Sequence, residues 1–348
     1  MKVRVWLGLL LAVVGVTTVG LKAAAAAQTR QEFADLGNLK LASGQTIDNC
    51  RLGYRTLGKL DASKSNAILF PTWFAGTSAD AAQAVPLLFD ASSYFVITVD
   101  ALGDGVSCSP SNSHTQPGIN FPHFSIADMV DAERILVTKR FGLTHLHAVV
   151  GNSMGGMQTF EWMVRYPSFM DIAIPIVGSP RLTSYDLLLW HTEEQAMLDD
   201  PAYHDGRYES TPDLRTVNLI HLMNVFTPEY RATHTSPAAF ERFFEETESA
   251  SSGSFDANDW RWQIDAMLSQ DVAHHGSLHE AAKRVRAHVL VIVSQQDHMV
   301  YPAPALAFAA LIGAKTIELH GDCGHAAPFC EAEKIRPAID AMLHAGAK

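Results

Sequence analysis

Val149-Val150-Gly151-Asn152-Ser153-Met154-Gly155-Gly156 is the stretch on which the reading of this 348-residue chain turns. An apolar run, Leu146 to Val150, leads into it and reads as a short buried strand. Met157 to Tyr166 continues as a helix. Pro167 stops that helix, because proline lacks the amide and its ring clashes with the preceding turn. Between strand and helix stands Gly-x-Ser-x-Gly, with Ser153 at the turn. Strand, strained turn and helix in that order form the context of a nucleophile elbow. Gly151 and Gly155 suit it, since a side chain there would collide with the neighbouring strand or helix. The turn presents the Ser153 hydroxyl above the strand's C-terminal edge. The Met154 amide, at the helix start, is placed to meet a developing oxyanion. A plain βα turn with a capping serine has the same five residues, so the partners decide.

A serine hydroxyl is a weak nucleophile until a base takes its proton and a third group orients that base. After an elbow of this kind the order along the chain is Ser, then Asp or Glu, then His, on loops that follow late strands. The apolar run Val289–Val293 is followed by Ser294-Gln295-Gln296-Asp297, and the strand-like run Thr316–Leu319 precedes Gly321-Asp322-Cys323-Gly324-His325. Asp297 and His325 are therefore the expected acid and base. His298 adjoins Asp297 but lies on the earlier loop, His320 is expected still within its strand, and Asp322 reads as a loop cap. Gly324 is expected to leave the His325 ring free to swing over the serine. A second oxyanion donor belongs on the loop after an early central strand. Pro71-Thr72-Trp73-Phe74-Ala75-Gly76 follows the apolar run Asn66–Phe70, and the Phe74 amide is the candidate. A strand-to-helix loop with aromatic packing is the plainer alternative.

Outward from these motifs the chain alternates. Arg51 to Thr56 and Tyr94 to Val99 read as strands, as does Ile172 to Val177, and residues 28–65 form an antiparallel start to the sheet. Ile126 to Phe141 has helical spacing of Met129, Ile135 and Leu136. The Gly-, Ser-, Asn- and Pro-rich loop from Ala101 to Phe124 is long enough to be functional or disordered. Strands alternating with helices imply a mostly parallel sheet covered on both faces, with ligands at the C-terminal ends of its strands. From about Arg181 to Arg284 the pattern turns helical, with candidates at Leu187–Leu198, Leu214–Phe226, Pro237–Thr247 and Asp256–Leu268. Strands then resume, and Ala332 to Leu343 closes the chain as a helix. An inserted helical lid at 181–284, within an α/β core of 28–180 and 285–348, is simpler than a separate C-terminal domain.

The chain is 47% hydrophobic, enough for a large core, and its formal charge of −11 without a basic cluster argues against a nucleic-acid partner. Most of its sixteen histidines read as surface or loop residues, no Cys-x-x-Cys pattern occurs, and no metal or organic cofactor is implied. Lys2 and Arg4 precede an apolar run, Val5 to Val19, and then small residues Ala23 to Ala27. That is the layout of a secretory signal peptide at residues 1–27; a retained membrane anchor is the alternative. Cleavage after Ala27 removes Lys2, Arg4 and Lys22 and takes the formal charge from −11 to −14. The expected location is periplasmic or secreted, with no membrane span after processing. Export permits disulfides among Cys50, Cys108, Cys323 and Cys330. Cys323 and Cys330 flank His325, and a bridge there would brace that loop; free buried thiols satisfy the spacing equally.

Longer stretches carry a resemblance. Val149 to Gln158, followed by Glu161-Trp162, together with Ile126-Ala127-Asp128-Met129-Val130 and Phe255-Asp256-Ala257-Asn258, is similar to blocks of the homoserine O-acetyltransferase family of α/β-hydrolase-fold acyltransferases. The match spans roughly residues 40–345. It implies Ser153, Asp297 and His325 as the triad, and Met154 and Phe74 as oxyanion donors. Three positions depart from that family. Asn218 stands where the family has the lid arginine that holds homoserine's carboxylate, Ala326 where it has an acid for the amine, and the Pro71–Gly76 loop lacks the usual histidine. Loss of both charged anchors removes the carboxylate clamp and the ammonium partner. The expected activity is therefore that of an exported carboxylic-ester hydrolase acting on a small ester. The alternatives are an O-acyltransferase with an alcohol acceptor such as homoserine and acetyl-CoA as donor, and a non-catalytic binding protein on the same scaffold. The oligomeric state, a homodimer included, is open.

Overall fold

Apolar runs without polar alternation need cover on both faces. The computed structural model describes residues 29–251 and 255–345; the leader pattern at 1–27 lies outside them. Strands β1 (Glu32–Lys40), β2 (Thr46–Leu57), β3 (Ala67–Pro71), β4 (Phe95–Val99), β5 (Leu146–Asn152), β6 (Met170–Ile176), β7 (His288–Ser294) and β8 (Lys315–Leu319) form one sheet in the order β1-β2-β4-β3-β5-β6-β7-β8. β2 pairs antiparallel with β1 and β4, and every later pairing is parallel. The central β3, β4 and β5 are buried along their whole length.

The period of two in these strands sorts their side chains onto two cores. Ile68, Phe70, Val150 and Ile174 share one face with Val85 of α1 (Ser78–Leu88) and Ile339 near the C-terminus. Leu69, Val149 and Ala173 share the other with Leu136 of α2 (Ile126–Phe141) and Phe160 of α3 (Met154–Arg165). The limits of α2 follow from its ends. Ser125 and Asp128 form a reciprocal capping box, and Gly142 (φ 62°) closes the helix in the left-handed conformation.

Between β6 and β7 the described chain is helical: α4 (Ser184–Leu198), α5 (Arg215–Val225), α6 (Pro228–His234), α7 (Phe240–Ser251), α8 (Ala257–Leu268) and α9 (Leu278–Ala282). The two ends of this segment are tied together. Arg181 pairs with Asp271 at 2.8 Å, and the Val272 amide donates to the Pro180 carbonyl at 2.9 Å. Helices α10 (Ala303–Ile312), α11 (Ala327–Cys330) and α12 (Ala332–Ala345) complete the core. No helix of the described residues is long and apolar enough to cross a membrane.

The structure departs from expectation in three places. Helix α3 begins at Met154, not Met157, although Gly155 and Gly156 are poor helix formers. Tertiary contact overrides propensity: a Cβ on Gly155 would lie 2.6 Å from the Pro71 carbonyl oxygen, and one on Gly156 2.8 Å from that of Ile176. His320 lies just past the end of β8 and is exposed, not within the strand. The loop 101–124 is ordered by ties to its surroundings. Cys108 bridges to Cys50 of β2, and the Ser111 amide donates to Asp259 of α8 at 2.9 Å.

Candidate active site

Strand β5 delivers Ser153 to the sheet edge at φ 57°, ψ −120°, a region few residues with a Cβ adopt. The Ser153 amide donates to the Ile176 carbonyl at 2.8 Å, which ties the turn to β6. The glycine before it is obligatory: a Cβ on Gly151 would meet the Gly155 carbonyl oxygen at 2.1 Å.

The three residues expected as partners converge. His325 Nε2 lies 2.8 Å from Ser153 Oγ, and its Nδ1 lies 2.7 Å from Asp297 Oδ2. With Asp297 as carboxylate, Nδ1–H donates to it, and Nε2 is left to accept the serine hydroxyl. The other oxygen, Oδ1, accepts the Met299 and Val300 amides at 2.8 and 2.9 Å, so the carboxylate is held by the backbone of its own loop. His298 and His320 make no part of this arrangement.

Gly324 has a different reason from the one expected. It sits at φ 62°, and a Cβ there would lie 3.0 Å from the Val225 carbonyl oxygen. It lets the end of α5 approach the loop that carries His325. That loop is further fixed by the Cys323–Cys330 disulfide and by the Thr227 hydroxyl, which donates to the Asp322 carbonyl. The imidazole is therefore a buried, braced group, not a freely swinging one.

Met154 and Phe74 both border the serine. The Met154 amide is the first of α3 and has no intrahelical acceptor. The Phe74 ring is wedged against Trp260, His221 and Trp190, with centroids 4.9, 5.4 and 6.1 Å away, so the helical segment between β6 and β7 grips the loop. Ala75 follows at φ 55°, and its amide donates to Gln263 Oε1 at 2.9 Å. Gln263 Nε2 in turn donates to the Leu102 carbonyl at 3.1 Å. Gln263 is a site-supporting residue that the sequence reading missed. It lies 188 positions from Ala75, and no local pattern marks it.

Ser153 and His325 open into a cavity of about 110 Å³ walled by aromatic and aliphatic side chains. His221 also faces it, backed by buried Glu193, 3.2 Å from its Nδ1. Asn218 is buried, and Ala326 stands beside His325 in the wall. No aspartate or glutamate is among the described lining residues.

A serine on a strand–turn–helix elbow, at the C-terminal edge of a mostly parallel sheet, defines an enzyme of the serine-hydrolase type on the α/β-hydrolase fold. The chain belongs to the alpha/beta hydrolase fold family, whose model matches residues 66–332. It is 34% identical over 286 residues to the ethyl acetate hydrolase of Pseudomonas veronii, covering 76% of this chain and 80% of that protein. It is 29% identical over 307 residues to the homoserine O-acetyltransferase of Methanococcoides burtonii, covering 76% of this chain and 62% of that protein. Among solved structures, the acetyl esterase MekB matches with a TM-score of 0.82 and 29% identity, covering 92% of this chain and 97% of that one. Homoserine O-acetyltransferases are thus among its relatives, as the sequence resemblance implies, and esterases stand beside them.

Proposed function

We propose that this enzyme is an exported hydrolase of small carboxylic esters that works through an acyl-serine. The observation that carries the reading is the hydrogen-bonded chain from Ser153 through His325 to Asp297 at the mouth of a small apolar cavity. His325 Nε2 takes the Ser153 proton as Oγ attacks the carbonyl carbon. Asp297 stabilises the imidazolium, and the Met154 and Phe74 amides hold the oxyanion. Collapse breaks the bond to the alkoxy oxygen, which leaves with the proton from His325. Water, deprotonated by the same imidazole, then attacks the acyl-serine, and Ser153 recovers its proton.

Hydrolysis is favoured over transfer to an amino-acid acceptor by the wall of the cavity. Ala326 offers nothing to an ammonium, and no carboxylate is among the described residues that line the space. A volume of about 110 Å³ suits one small ester and not a drug-sized ligand. The helical segment 181–284 acts as the lid. Export is supported by the leader pattern at 1–27 and by two disulfides, which persist in oxidising compartments.

Turnover of 4-nitrophenyl acetate, with and without homoserine, tests the chemistry. Acetate release is expected, with a loss on the order of 10⁴-fold or more in Ser153→Ala and in His325→Ala. Faster formation of O-acetylhomoserine from acetyl-CoA than of free acetate would make the chain an acyltransferase. Protein recovered outside the cytoplasm is expected to begin at Gln28; an intact leader there would overturn the processing.

A further inference from the structure

Arg231 of α6 reaches the same cavity as Ser153 and His325, and it is the one arginine or lysine among the described lining residues. Its guanidinium lies 4.2 Å from the centre of the Phe243 ring and 5.6 Å from that of Phe226. One of its five N–H donors has a partner among the described residues: Nη1 donates to Thr235 Oγ1 at 3.0 Å. No carboxylate of the described residues pairs with it. A half-buried cation against aromatic walls carries a desolvation cost that an arriving anion offsets. Burial accordingly pulls its pKa below the ordinary value, and the nearby Tyr230 phenol opposes this.

We infer that Arg231 is an anion anchor for the substrate, and that the natural ester carries a carboxylate but no neighbouring ammonium. This rests on the ester-hydrolase reading and narrows it. The planar guanidinium fork matches a carboxylate with two parallel hydrogen bonds. An amino-acid zwitterion also needs an acid for its ammonium, and the described residues of the wall provide none. The carboxylate belongs either to the acyl part, as in a half-ester of a dicarboxylic acid, or to the alcohol part, as in an O-acylated hydroxy acid. The position of Arg231 differs from that of Asn218, where the resemblance to the acyltransferases sets its carboxylate-binding arginine.

Two matched pairs of esters separate these sources. On the acyl side, mono-(4-nitrophenyl) succinate is compared with 4-nitrophenyl butyrate. On the alcohol side, 3-acetoxypropanoate is compared with 3-acetoxypropanamide. In one pair the anionic ester is expected to have the higher kcat/KM. In Arg231→Gln the anionic-to-neutral ratio of that pair is expected to fall by about ten- to a hundredfold, the range for loss of a hydrogen bond to a charged group. Arg231→Lys, which keeps the charge without the fork, should fall between. A wild-type preference for the neutral ester in both pairs overturns the proposal, as does a ratio that Arg231→Gln leaves unchanged. Hydrolysis of neither member of either pair would instead sink the esterase reading. Binding then decides the anchor. Tryptophan-fluorescence titration of Ser153→Ala, with Trp73 and Trp190 in the wall, should show tighter binding of 3-acetoxypropanoate or of mono-(4-nitrophenyl) succinate than of its neutral partner. Ser153→Ala/Arg231→Gln should lose that preference, and its persistence there would overturn the proposal.

Discussion

Ser153 holds a backbone conformation that costs on the order of 1–3 kcal/mol and persists only where the surroundings over-determine it. Here they do: its amide is tied to Ile176, its carbonyl accepts from the Met157 amide, and glycines flank it where backbone meets backbone. Gly151→Ala is therefore expected to lower the melting temperature sharply or prevent folding, because the colliding atom is a main-chain carbonyl that cannot rotate away. A melting temperature within a degree or two of wild type would mean that the turn is looser than described. Asp297→Asn separates fold from chemistry. The amide oxygen can still accept from Met299 and Val300, so the loop should stand, as near-unchanged circular dichroism would show. The imidazole loses the group that fixes its tautomer, and kcat is expected to drop on the order of 10³–10⁴-fold. A drop below tenfold would remove Asp297 from the relay.

At the scale of elements, the site is made where loops from the sheet meet helices from the 181–284 segment. The loop after β3 is gripped by Phe74 among the aromatic rings and by Gln263 at Ala75. Gln263→Leu removes the acceptor for the Ala75 amide and leaves a buried donor unsatisfied. If the Phe74 amide is the oxyanion donor proposed above, the expected outcome is a fall in kcat of about 10–10³-fold with a smaller change in KM, because displacing such a donor acts on the transition state. A change confined to KM would show that the loop serves substrate binding instead. What was legible in the sequence follows the same division. Helix α2 was readable to the residue, since its spacing lies within it and its capping serine and closing glycine stand immediately at its two ends. The residues Ser153, Asp297 and His325 were readable as candidates because each follows a strand in a fixed order, the first two strands being apolar runs. Gln263 and the Cys50–Cys108 bridge were not, because each has a partner brought near only by the tertiary fold, and Arg231 was not, because only the fold brings it to the cavity of Ser153. Helix α10 escaped for another reason: Ala303-Pro304-Ala305-Leu306-Ala307-Phe308-Ala309-Ala310 is apolar all round and shows no amphipathic period.

Across the whole molecule, the sheet divides the interior into two cores, and an ionisable group lies within the one under α2 and α3. The Glu133 carboxyl of α2 accepts from Trp162 Nε1 of α3 at 2.6 Å, with its other oxygen unpartnered among the described residues. Burial pushes its pKa up from 4.5 to about 8, against the opposing pull of the Trp162 hydrogen bond. Glu161 is raised in the same sense to about 7, by burial first, and Arg165 draws it back. The sign follows from proton counts. Between pH 4.5 and about 8 the folded protein keeps a proton on Glu133 that the unfolded chain has released, so stability falls as pH rises through that window and levels off above it. Other groups superimpose their own trends, but these cancel when a variant is compared with wild type at each pH. In Glu133→Gln the side chain stays neutral, and its carbonyl can still accept from Trp162. The difference in melting temperature, variant minus wild type, is therefore expected to climb steadily from pH 5 to pH 8.5. Glu161 is present in both proteins and should leave that climb intact. A difference that stays flat across the range would mean that Glu133 is ionised in the fold, paired with something its surroundings do not reveal.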